Sequence, residues 1–225
     1  MIQKIEELQK EFRTVFSGRT NTADTILPPL LYALVNLLTG LVPAILSALV
    51  LASILTVLRI VRKQSWLYAF SGLVVTLLAA GLAWYTQNAT GFFLPNLVTS
   101  GMLLAASLLS ILAGKPLAAW SSHLTRAWPK EWYWLPNISP AYTEVTWIWT
   151  AFIATRLIVQ YLLYQQGNAS LLGLANILLG WPVIIIVLVI SYLYGIWRLR
   201  KLGGPSVEEF LSHQPAPWKG QKKGF

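Results

Sequence analysis

From Ile26 to Leu58 the chain carries no charged residue. One crossing of a bilayer's hydrocarbon takes roughly 20 residues, so this run is too long for a single span and must fold back on itself. Each piece is helical, because backbone polar groups in hydrocarbon have no water to satisfy them. Gly40 and Pro43 divide the run, since glycine suits the end of a helix and proline the first turn of the next. The spacing predicts a tight hairpin with spans at about 26–40 and 43–61. The first would cover only about 23 Å at 1.5 Å per residue, opens on Pro28-Pro29 and carries Asn36, so crossing fully and re-entering both remain open.

Four further apolar segments follow, at about 66–85, 93–113, 145–165 and 171–197. Trp66 and Trp84 bracket the third span about 27 Å apart, the separation of rings seated at two membrane interfaces. Gly180-Trp181-Pro182 lies inside the last and predicts a kink, because proline cannot donate its backbone hydrogen bond. The composition agrees: 56% hydrophobic, 11% charged and a mean hydropathy of +0.58 describe an all-α integral membrane protein rather than a water-soluble domain.

Lysine and arginine fix the expected topology. Lys4, Lys10, Arg13 and Arg19 precede the first span, and Arg59, Arg62 and Lys63 follow the second. Lys115, Arg126 and Lys130 follow the fourth, and the six residues Arg198, Arg200, Lys201, Lys219, Lys222 and Lys223 follow the sixth. The intervening connections have none, and Arg156 completes the 17 cations of the chain. Such alternation puts both termini of a multi-pass membrane protein in the cytoplasm, and losing any one span breaks it. The net charge of +9 is therefore topological, and basic residues clustered at span ends do not form a nucleic-acid face.

Three regions result. Residues 1–20 place Ile2, Ile5, Leu8, Phe12 and Val15 on one stripe, as in an interfacial amphipathic helix. Residues 21–200 form the transmembrane domain, and 201–225 read as a basic, mostly disordered tail. Within the domain, the connection 114–144 carries Trp120, Trp128, Trp132 and Trp134 among Lys115, His123, Arg126 and Lys130, with prolines that prevent one continuous helix. Amphipathic rings among cations suit a segment lying at the headgroups or docking a membrane-protein partner, a second copy included.

The chemistry available at depth is sparse. All eight acidic residues and both histidines fall outside the expected spans, and there is no cysteine, so disulfides, thiolate metal sites and the usual carboxylate-coupled carrier chemistry are absent. No phosphate loop, nucleophile elbow or metalloprotease motif appears, so neither an enzyme nor a cofactor or metal site is expected. What remains is a polar set: Asn36, Asn96, Arg156, Gln160 and Asn176. Arg156 lies near the middle of its span, four residues from Gln160 and so on the same helix face. A guanidinium at that depth costs roughly 2.5–3.5 kcal/mol on insertion scales and must find neutral oxygens, water or an anion such as a lipid headgroup. Two roles fit, a hydrogen-bonded hub that fixes helix packing and a midplane site of a carrier or channel for an anionic or amphipathic small molecule. Leu27-Pro28-Pro29-Leu30 and Leu94-Pro95-Asn96-Leu97 open spans one and four, a weak sign of a 3+3 inverted repeat of the kind carriers use.

Phe16-Ser17-Gly18-Arg19 before Leu27-Pro28-Pro29-Leu30, Leu58-Arg59 with Arg62, Phe92-Phe93-Leu94-Pro95-Asn96, Gly114-Lys115-Pro116-Leu117, the Trp149–Arg156 and Gln160–Tyr164 segments and Leu179-Gly180-Trp181-Pro182 are spread in this order over about residues 16–197. In that order and spacing the chain resembles a bacterial family of polytopic membrane proteins of unknown function related to the intracellular septation protein A family. The resemblance implies an inner-membrane protein of the cell envelope, with a part in septation or envelope assembly, and supplies no catalytic residue. The septation proteins have five spans, one fewer than the charge pattern gives here. The expectation is an envelope or membrane-complex scaffold, with the carrier as its rival.

Overall fold

The computed structural model describes residues 22–221 and 224–225, with side chains from residue 27. The expected amphipathic helix at 1–20 lies outside the described residues. All regular structure among them is helical: α1 (Thr22–Thr39), α2 (Leu41–Val61), α3 (Trp66–Thr86), a 3-10 turn (Ala89–Phe93), α4 (Leu94–Leu112), α5 (Leu117–Arg126), α6 (Lys130–Tyr133), α7 (Ser139–Gln165), α8 (Ala169–Leu178), α9 (Trp181–Leu202) and α10 (Val207–Leu211). Five stretches are long and apolar enough to cross a membrane: Leu41–Val61, Trp66–Thr86, Ala89–Leu112, Ser139–Gln165 and Ala169–Leu202. The first expected span has only the shorter apolar helix Leu27–Thr39, about 20 Å by helical rise. The chain divides into two compact units, the first made of Met1–Pro95 and Leu162–Ile177 and the second of Asn96–Tyr161 and Leu178–Phe225.

In the first unit the hairpin forms where glycine and proline place it. Gly40, at φ +90, separates α1 from α2, and Pro43 stands in the first turn of α2, where its missing donor costs no helical bond. The buried face of α2 includes Ala44, Ala48 and Ala52, and α3 buries Ala69, Ala79, Ala80 and Ala83. Small residues at this spacing let helices approach closely, which matters in lipid, where apolar side chains gain nothing by leaving their surroundings. Thr56 and Thr76 satisfy their hydroxyls on the carbonyls of Ala52 and Gly72, one turn back. Tyr32 of α1 donates to the Ala89 carbonyl at 2.7 Å and stacks on Phe92 at 3.9 Å, joining α1 to the 3-10 turn. The two proline motifs stand in different settings. Pro28 and Pro29 lie inside α1, whereas Pro95 is in the first turn of α4.

In the second unit α7 begins six residues before the expected span, because Ser139-Pro140 is itself a helix start, with proline in the first turn. Its buried face runs through Tyr142, Thr146, Thr150, Ile153 and Gln160. Thr146 donates to the Tyr142 carbonyl and accepts from the Ala118 amide, and Thr150 donates to the Thr146 carbonyl and pairs with Ser107 of α4 at 2.5 Å. Hydroxyls here fasten neighbouring helices without buried charge. The last apolar segment is broken as Gly180-Trp181-Pro182 predicts, α8 ending at Leu178 and α9 starting at Trp181.

The helices' outer surfaces are apolar. Leu38 is 80% exposed and Leu112 83%, and large aliphatic side chains of every candidate span are accessible on the isolated chain. Such surfaces require lipid or protein cover. The residues after α9 do not match the expected disordered tail. Ser206 and Glu209 cap α10 reciprocally, and Glu209 and Val207 are buried.

Candidate functional site

Arg156 sits on the buried stripe of α7, three residues beyond Ile153 and four before Gln160, and is half-buried. Its Nε atom is buried with no hydrogen-bond partner, and among the described residues no carboxylate pairs with it. Gln160 is wholly buried. Asn96 joins these two in the second unit, whereas Asn36 and Asn176 belong to the first. Asn176 turns its amide back onto the Leu172 carbonyl at 2.9 Å, the local bond that polar residues make within membrane helices.

The Trp-rich connection is a folded module. Trp132, Tyr133, Ile138, Ala141, Tyr142, Leu199, Ala119 and Val207 form one buried core. Trp132 is 0% exposed, and its indole donates to the Pro205 carbonyl at 2.9 Å. Expected at an interface with a partner, Trp132 is instead a core residue of its own unit. An indole that lies among Trp128, Tyr133 and Tyr142 rings and has its one donor satisfied has no reason to remain at the surface. Trp120, Trp128 and Trp134 are half-buried around it. Cations cover two of these rings, Arg126 over Trp128 at 5.0 Å and Lys130 over Trp120 at 5.3 Å. The Tyr133 hydroxyl donates to Ser122 at 3.0 Å, and burial raises its pKa above the ordinary tyrosine value.

Three charged sites outside the predicted set prove structural. Arg198 grips Glu144 with two hydrogen bonds of 2.7 Å, and the Tyr194 hydroxyl donates to the same carboxylate at 2.7 Å. The pair's side chains are 24% and 33% exposed, so screening reduces its worth. Arg198→Met is expected to lower the midpoint of detergent unfolding, with Tyr194→Phe lowering it less. Arg59, in the last turn of α2, is 3% exposed, lies 4.7 Å over the Tyr68 ring and fills the space left by Gly72. Tyr68 and Gly72, one turn apart on α3, were the available signal, a ring and a gap on one face.

Glu209 is the third. Its carboxylate accepts from the backbone amides of Ser206 at 2.8 Å, Lys219 at 2.7 Å and Gly220 at 3.2 Å. These donors, the Ser206 amide first, hold its pKa at about 2 against an ordinary 4.5. A depressed carboxylate stabilises the fold fully above its unfolded value and loses that contribution as protons bind the folded form. After correction for intrinsic rates, the Lys219 and Gly220 amides are expected to stay protected from hydrogen exchange down to pH 4.5 and to lose protection from there toward pH 2. The sequence carried a sign of this, Ser206 three residues before Glu209.

Helical in all regular structure of its described residues, with several apolar helices long enough to cross a bilayer, the chain is a multi-pass membrane protein. The model of the family described as Protein of unknown function (DUF3159) matches residues 16–200, and the chain belongs to that family. No curated protein and no solved structure matches the chain.

Proposed function

We propose that the protein acts by association, as an assembly or scaffolding factor of the bacterial inner membrane, with six crossings and both termini in the cytoplasm. The observation that carries this reading is the 114–144 module, packed on a buried aromatic core and ringed by half-buried indoles and cations. A headgroup-level platform of this kind offers neighbouring proteins rigid aromatic contacts at low entropic cost. Leu124, 79% exposed on α5, is an apolar contact point on it. A photo-crosslinking residue at position 124 in intact cells is expected to yield an adduct of discrete mass with a membrane protein or a second copy. Recovery of the uncrosslinked monomer alone would overturn the reading. A septation or wider envelope role is the setting that the family resemblance suggests for such a factor.

A second reading, a carrier or channel for an anionic or amphipathic small molecule, is supported by the buried, unpartnered Nε of Arg156. Arg156→Gln tests it. A correctly inserted, stable variant that loses binding of a solute or lipid favours the carrier, and misassembly without a binding defect favours an arginine that holds the helices together.

A further inference from the structure

We propose that the end of α9 and the folded 203–220 segment build a binding site for a phosphate-bearing anion. Arg200, Gly203, Trp218, Lys219 and Gly220 line an open cavity of about 360 Å³, within the size range of small-ligand sites. Two cations of different chain segments stand around it, and no carboxylate is among the lining residues. Glu209, in the same segment, has both carboxylate oxygens committed to backbone amides.

The site is built by local chain geometry. Gly203, at φ +63, turns the chain off the end of α9, and Gly220, at φ +73, passes close to the Gly204 carbonyl, where a side chain would crowd it. Glu209 clamps the amides of Lys219 and Gly220, which ties the backbone of these two lining residues to the fold rather than leaving it on a loose end. Trp218 spends its indole donor on the Gln214 carbonyl at 2.9 Å, so it contributes a ring wall and not a hydrogen bond. The place also suits an anion. α9 ends the candidate span Ala169–Leu202, and its last turns carry exposed Trp197, with Lys201 5.2 Å over that ring, the belt that marks the headgroup level. Phosphate on a lipid headgroup and free phosphate share the chemistry that two such cations recognise.

The test uses the full-length protein in neutral detergent, with short-chain phosphatidylglycerol, phosphatidylcholine and inorganic phosphate as probes and native mass spectrometry as readout. One phosphatidylglycerol is expected to be retained in preference to phosphatidylcholine, and Arg200→Gln with Lys219→Gln is expected to weaken it at least tenfold. Arg62→Gln, which removes an exposed cation after α2, leaves binding unchanged. Glu209→Gln separates a built site from a diffuse positive surface. It removes a negative charge and so would tighten binding to a general field, whereas release of Lys219 and Gly220 weakens binding to a built site. Hydrogen-exchange protection retained at 206–211 in the double variant shows that its loss is not unfolding. Competition by inorganic phosphate identifies the free ion as ligand, and its failure to compete identifies the headgroup. The proposal is overturned if neither phosphate source binds, if the double variant binds as wild type, or if Glu209→Gln binds more tightly.

Discussion

Trp132→Ala is expected to destabilise the second unit by about 4 kcal/mol, the largest single-residue effect in the molecule. The indole is wholly buried, packs against Trp128, Tyr133 and Tyr142, and is bonded to the Pro205 carbonyl. Truncation removes the ring, leaves a cavity among rigid aromatics that cannot collapse into it, and orphans a carbonyl that holds the 203–220 segment in place. Unfolding by SDS titration in mixed micelles should show the loss, and hydrogen exchange should show it spreading to α10. Trp132→Phe retains most of the packing but not the donor, so it should recover more than half of the loss.

Gly173→Val is expected to cost about 2–3 kcal/mol in the first unit. A Cβ placed at Gly173 would lie 2.5 Å from the Cβ of Ala33 and 3.4 Å from the Phe93 ring. Ala33 is itself 6% exposed and has no flexible end to move aside, so α8 must be displaced from α1. The Ser170 hydroxyl, which donates to the Ala33 carbonyl at 3.4 Å, would lose its acceptor in the same displacement. The same SDS titration measures this, and an unfolding midpoint equal to that of the wild type would show that the two helices do not depend on this close approach.

What the sequence disclosed and what it withheld divide along a physical line. Breaks imposed by backbone geometry were legible: Gly40 with Pro43 made the α1–α2 hairpin, and Gly180-Trp181-Pro182 divided α8 from α9, because glycine and proline act through their own φ and donors. Pairings across long sequence separations were not. Nothing near Glu144 points to Arg198, 54 residues on, and a loop composition of indoles and cations does not say which indole turns inward. Trp132 and the half-buried Trp120 read alike in sequence, and only the Pro205 carbonyl and the facing rings distinguish them. The segment after α9 misled for a related reason. Its Pro, Gly and Lys content is that of a disordered tail, while its order rests on one carboxylate collecting three backbone amides. Arg156 was conspicuous from its cost alone, and the structure sharpens it to a guanidinium whose Nε has no acceptor among the described residues.

The most direct test of association through the 114–144 module compares in-cell crosslinking from position 124 in three backgrounds at matched expression: wild type, Trp132→Ala and Arg156→Gln. The account predicts a discrete adduct in the wild type, its loss in Trp132→Ala, and its retention in Arg156→Gln, because the platform is formed by the module's core and not by the arginine within the span. An adduct that survives Trp132→Ala and disappears in Arg156→Gln would contradict it.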